Sequence, residues 1–178
     1  MIIFLGIAGA GKTEQSKLLA NEFNYDRISV GQLLRNDTSE DLGYRLDRGE
    51  LIDDEVVIPI VEKQIKNISE GKEFIIDGFP RTLKEAIWIT NRPRETLRVF
   101  QILLSPEDAC SRLKIRNRTD DNEQAIKKRI YEYEEFINSI LHIFKRKNIT
   151  IFNIDGSKDI ESVHNQIVSD INSAKGKL

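Results

Sequence analysis

Gly6-Ile7-Ala8-Gly9-Ala10-Gly11-Lys12-Thr13 directly follows the apolar run Ile2-Ile3-Phe4-Leu5 and precedes a helical pattern, Lys17-Leu18-Leu19 then Phe23. The eight residues fit G-x-x-x-x-G-K-[ST], and the strand-before, helix-after context is what gives that pattern meaning. Glycines let successive backbone N–H groups close around phosphate oxygens, and the N-terminus of the following helix adds partial positive charge. Lys12 is placed to reach the β- and γ-phosphates, and the Thr13 hydroxyl is placed for Mg²⁺. Alone, this loop says that the chain binds a nucleoside triphosphate.

Outward from the loop, short β-branched apolar runs recur at 74–76, 99–104 and 149–154, with a weaker one at 27–30. They are apolar on both parities, as strands covered on both faces of a parallel sheet are. Helical patterns lie between them. Ile126, Ile130, Tyr133, Ile137, Leu141 and Phe144 recur at steps of three and four, as do Ile160, Val163, Ile167 and Ile171. Alternation of this kind predicts an α/β fold with five parallel strands and right-handed crossovers. Pro59 interrupts the helical run at 54–69, which predicts a kink or a later helix start.

Composition bounds the rest. A chain of 178 residues with 39% hydrophobic and 31% charged residues suits a single domain spanning 1–178. The 27 basic and 29 acidic residues give −2, so no global steering toward nucleic acid or a membrane is expected. No apolar run is long enough for a membrane span, and the opening residues lack a basic n-region, so a cytoplasmic protein is expected. Cys110 is the single cysteine, which excludes an intrachain disulfide and a Cys-based structural zinc. His142 and His164 match no motif and read as surface or helix-packing residues. Cys110 reads as a small core residue, and Trp88 as core packing, with a place near a base pocket as the alternative.

Further motifs narrow the class. Asp77-Gly78-Phe79-Pro80-Arg81-Thr82, with Glu85 after it, closes the third strand; Ile28-Ser29-Val30-Gly31-Gln32-Leu33-Leu34-Arg35 closes the second. Gly49-Glu50-Leu51-Ile52-Asp53-Asp54-Glu55 precedes a helix. Arg112-Leu113-Lys114-Ile115-Arg116-Asn117-Arg118-Thr119-Asp120-Asp121-Asn122-Glu123 continues to Lys128-Arg129, and Ile154-Asp155-Gly156-Ser157-Lys158 ends the last strand. In order and spacing, from the start to about residue 171, these stretches resemble the adenylate kinase family of nucleoside monophosphate kinases.

The resemblance implies a P-loop NTPase-type three-layer fold with a monophosphate-binding helical insertion at about 30–60 and a very short lid at 116–121. The implied reaction is Mg-ATP plus a nucleoside monophosphate giving ADP and a diphosphate. Gly9, Ala10, Gly11, Lys12, Thr13, Glu14, Arg112, Arg116 and Lys158 would then contact ATP, with Arg112 over the adenine. Val30, Arg35, Glu50, Leu51, Ile52, Gly78, Phe79, Pro80, Arg81, Glu85, Arg118 and Arg129 would contact the monophosphate. Physical reasoning assigns the charged residues similarly. Two polyphosphates must meet, so arginine forks must be aimed from both sides. Lys12, Arg81, Arg116, Arg118 and Arg129 are the candidate catalytic groups, and Thr13 and Asp77, through water, the candidate Mg²⁺ partners. The partners expected are ATP and a monophosphate, on a monomer, with no nucleic acid and no membrane.

The chain departs from the family pattern at Ala8, where proline is usual, at Thr13-Glu14 in place of Gly-Thr, and at Val30 and Gln32 in place of Thr and Asp. Glu85 stands where the family has a base-reading glutamine. An ionised glutamate only accepts hydrogen bonds, whereas an amide both donates and accepts. AMP is the leading acceptor, with GMP, CMP, UMP or dTMP as alternatives. A degenerate nucleotide-binding regulatory relative is the alternative of another class. A GTPase switch lacks its N-K-x-D motif here. One residue, Asn117, separates Arg116 from Arg118, and the lid has no cysteine or histidine set for zinc.

Overall fold

Strand β1 (Ile2–Leu5) is buried along its whole length and lies at the centre of the sheet. The computed structural model describes residues 1–37, 39–92, 96–116, 118 and 120–175. In chain order, β1 is followed by α1 (Lys12–Phe23), β2 (Asp26–Ser29), α2 (Val30–Arg35), α3 (Glu40–Asp47), α4 (Asp54–Lys66) and β3 (Phe74–Asp77). Then come α5 (Leu83–Thr90), β4 (Arg98–Leu103), α6 (Pro106–Arg116), α7 (Glu123–Arg146), β5 (Thr150–Asp155) and α8 (Ile160–Lys175). The five strands are all parallel, in the order β2-β3-β1-β4-β5.

The order of the strands fixes where a ligand can sit. The connection leaving β1 runs to the β2 side of the sheet and the one leaving its neighbour β3 runs to the β4 side, so the loops after β1 and β3 open a crevice at one carboxyl edge. Ile2 pairs with Ile75 on one side and Arg98 on the other. Side chains along β1 alternate between two cores, as a two-residue period requires. Ile3 and Leu5 join Phe74, Ile76 and Val99 beneath α2–α5 and the later turns of α7. Ile2 and Phe4 join Ile75, Phe100 and Ile154 beneath α1, α6 and α8. Helix α7 straddles both, with Ile126 and Ile130 in the second core and Ile137, Ile140 and Phe144 in the first.

The weak apolar run forms β2 one residue earlier than its pattern indicates, because Val30 already begins α2. Pro59 does not delay α4, which starts at Asp54 and runs through it. Proline removes one i→i−4 bond, to the Glu55 carbonyl, and the buried Val57, Val61 and Ile65 hold the helix against the first core. Of the short lid at 116–121, Asn117 and Thr119 lie outside the described residues. Among the described residues, no helix is long and apolar enough to cross a membrane.

Candidate active site

The loop between β1 and α1 turns on Gly9, whose φ of +88° is a left-handed value, and a Cβ there would meet the Ala109 carbonyl oxygen at 2.8 Å. Glycine is therefore required both by conformation and by the approach of α6. Lys12 begins α1 and curls back over the loop, its Nζ donating to the Gly6 and Ile7 carbonyls at 2.5 and 2.8 Å. Burial lowers the ammonium to about 8, with Asp77 opposing and Arg81 and Arg116 adding to the shift. The Thr13 hydroxyl donates to Asp77 Oδ2 at 2.8 Å, joining the start of α1 to the end of β3.

Around this loop opens a cleft of about 250 Å³. Gly9, Gly11, Lys12, Thr13 and Glu14 form its floor, and Asp77, Gly78 and Arg81 come from the end of β3. Arg35 and Glu50 enter from the α2–α4 segment; Arg112, Arg116, Arg118 and Arg129 enter from α6, α7 and the connection between them. An adjoining cavity of about 90 Å³ shares Lys12, Gly78, Arg81 and Arg129, and is walled by Leu51, Phe79, Pro80, Tyr133 and Ile137. Arg112 reaches toward the Ser157 carbonyl at 3.5 Å.

Two carboxylates gather the arginines. Asp121 accepts from Arg116 Nε at 2.7 Å and Nη2 at 2.6 Å, and from Arg129 Nη1 at 3.1 Å. Burial pushes its carboxyl up, but the Arg116 and Arg129 contacts leave it below the ordinary range. Asp120 accepts from Arg129 Nη2 at 2.7 Å and lies 3.7 Å from Arg35 Nη1. Asp120 Oδ1 is buried and has no hydrogen-bond partner among the described residues. These two aspartates carried no role in the sequence reading, although the motif containing them was visible.

A seam crosses from the α3–α4 segment to α7. Arg129 Nη2 donates to the Leu46 carbonyl at 2.9 Å, and Asn122 Nδ2 to the Asp47 carbonyl at 2.7 Å. The Leu51 N–H points to Glu132 Oε1 at 3.4 Å, and Lys128 pairs with Glu50. Gly49, at φ +72°, packs so closely that a Cβ would lie 2.5 Å from the Ala125 carbonyl oxygen.

Five of the residues singled out from the sequence lie outside the lining of the cleft and its cavity. Ala10, Val30 and Ile52 are core residues, and Lys158 is exposed elsewhere. Glu85 is 2% exposed and turned onto the backbone of Arg81. Trp88 packs edge-on against Phe79, with Arg92 over its ring, rather than lining the cleft. His142 is exposed, and Cys110 packs at the margin of the second core. His164 joins α8 to α1 through Gln15 and Glu22.

A profile of the family described as Adenylate kinase matches residues 4–149. The chain belongs to the adenylate kinase family. The adenylate kinase of Prochlorococcus marinus strain NATL1A is 36% identical over 174 residues, covering 91% of this chain and 93% of the relative. Those of Archaeoglobus fulgidus and Borrelia recurrentis are each 29% identical, covering 93% and 99% of this chain and 95% and 99% of their own. Members of this family are nucleoside monophosphate kinases, and this chain is an enzyme of that class, an ATP-dependent phosphotransferase.

Proposed function

We propose that the chain transfers the γ-phosphoryl group of Mg-ATP to AMP, giving two ADP. The observation that carries this reading is the convergence of Lys12, Arg35, Arg81, Arg116, Arg118 and Arg129 on one cleft from opposite sides. A hydrolase of one triphosphate has no use for two opposed sets of cations, whereas phosphoryl transfer between two phosphate chains needs both. Arg35 and Arg81 hold the acceptor phosphate, and the 30–60 segment forms the acceptor side. Lys12 and the glycine-loop amides hold the donor phosphates. Arg116, Arg118 and Arg129, from the 116–121 lid and the start of α7, offset charge on the transferring group. Arg112 covers the donor base.

Lys12 leaves its loop carbonyls for phosphate oxygens when ATP arrives, exchanging two neutral acceptors for charged ones. Thr13 and Asp77 offer a hydroxyl and a carboxylate on the cleft wall, a hard oxygen set that fits Mg²⁺, with Asp77 acting through water. Bound there with ATP, Mg²⁺ would neutralise and orient the phosphate oxygens. Residues that gather around the phosphates also exclude water, which protects the transferring group from hydrolysis.

AMP as acceptor rests on the name shared by the relatives and on the retained Arg35 and Arg81. The test is diphosphate formation with AMP, CMP, UMP, GMP and dTMP at equal concentration. The reading expects the highest kcat/KM with AMP; a larger value with another base reassigns the acceptor, and none with any base removes the reading.

A further inference from the structure

Arg27 is a guanidinium within β2, next to Ile28 and registered against Ile75 of β3. Its side chain is 15% exposed and does not line the cleft. A charge so placed needs partners. It has them on two elements: Nη2 donates to Asp77 Oδ2 at 2.9 Å, and Nε donates to Ser16 Oγ at 2.7 Å. The Ser16 hydroxyl donates in turn to the Thr13 carbonyl at 2.9 Å. Arg27, Ser16, Thr13 and Asp77 thus close a ring behind the floor of the cleft, of which only Thr13 and Asp77 face the nucleotide side.

We infer that Arg27 is a positioning residue that sets how strongly nucleotide binding depends on the divalent cation, acting through Asp77. The inference rests on the reading of Thr13 and Asp77 as the cation side of the cleft. The Thr13 and Arg27 donors both fall on Oδ2, so a metal-bound water would be met by the other carboxylate oxygen, Oδ1. Arg27 also offsets the charge of Asp77 from behind. An uncompensated carboxylate on the floor attracts Mg²⁺ and repels a triphosphate that lacks it. With Arg27 in place, both effects are muted: metal-free nucleotide is tolerated and the gain from the cation is reduced. Sequence comparison of local pattern does not show this, because the partner lies 50 residues away.

The test is calorimetric binding of ATP and ADP to the full chain in Mg²⁺ and in EDTA, with thermal melts to follow folding. Arg27→Gln, which removes the charge, is expected to widen the ratio of the EDTA to the Mg²⁺ dissociation constant by about tenfold. Arg27→Lys, which keeps a charge without the fork, is expected to hold that ratio within about twofold of wild type even if binding and stability fall; Arg27→Met, which also removes the charge, takes the place of the glutamine variant if that does not fold. A merely structural role lowers both affinities alike and leaves the ratio unchanged; that outcome in Arg27→Gln overturns the inference, as does a widened ratio in Arg27→Lys. Asp77→Asn separates the two levels. If it leaves the ratio at the wild-type value, the cation reading itself fails; if it shifts the ratio and Arg27→Gln does not, only the role of Arg27 fails.

Discussion

The Glu85 carboxylate accepts the Arg81 backbone N–H at 2.5 Å, while the Glu85 N–H is taken by Thr82 Oγ1 at 3.1 Å. Thr82 thus caps the start of α5, while the Glu85 side chain reaches back past the cap to the residue before it. Thr82 also donates to Asp54 Oδ1 at 2.6 Å, fastening α5 to the start of α4. Burial pushes the Glu85 carboxyl up to about 7, against the pull of the Arg81 N–H and guanidinium. Between its ordinary 4.5 and that value the folded chain holds a proton that the unfolded chain has released. Stability therefore falls as pH rises through this window and levels off above it, a loss of up to about 3 kcal/mol. Glu85→Gln keeps the accepting oxygen and removes the titration. Melting curves at pH 5 and pH 8 are expected to show the variant more stable than wild type at pH 8, with the difference shrinking at pH 5. An equal difference at both pH values removes the argument.

Lys12→Ala and Arg81→Ala are expected to lower kcat by about two to three orders of magnitude with melting temperatures near wild type. Both side chains line the cleft rather than a core. Steady-state rates at saturating substrate, set beside far-UV circular dichroism, check this; near wild-type turnover in either variant defeats the assignment.

Because the Lys12 ammonium lies at about 8 in the free enzyme, it is only partly charged just above neutrality. Phosphate binds the protonated form, so ATP affinity is expected to weaken by about tenfold per pH unit above 8. Titrations from pH 7 to 9.5 read this directly. The slope is expected to vanish in Lys12→Met, and an affinity flat across the range in wild type contradicts the placement of Lys12 against phosphate.

Gly49→Ala combines a left-handed φ with a Cβ pressed into the backbone of Ala125, which no side-chain rotation can relieve. A loss of about 2 kcal/mol or more is expected by urea denaturation, with reduced phosphoryl transfer. Gly43→Ala, which meets nothing within 4 Å, is the control and is expected to be neutral or stabilising.

The parallel core was legible because its determinants are local: every strand but β2 carries a short apolar run, and the glycine loop sits between the first strand and its helix. The cleft was legible for the same reason at Lys12, Arg35 and Arg81, each carried in a motif at a strand end. Pairings set by the fold were not. Arg27 weakens the strand pattern of β2, and its compensation by Asp77 has no local sign. Asp120 meets Arg35 across 85 positions. Glu85 is the instructive case: resemblance marked it as a reader of the acceptor base, while the fold buries it and turns its carboxylate onto the Arg81 N–H, a contact with no sign in the motif.

The seam between residues 46–51 and the start of α7 joins the two halves of the cleft through shared hydrogen bonds. An outward swing of the 40–51 segment removes the Leu46 carbonyl from Arg129, and Arg129 then shifts its hold on Asp120 and Asp121, which also hold Arg35 and Arg116. On the proposed reading, a ligand that fixes that segment in place alters the affinity for the ligand opposite. By reciprocity of binding free energies, the second ligand returns the same factor to the first.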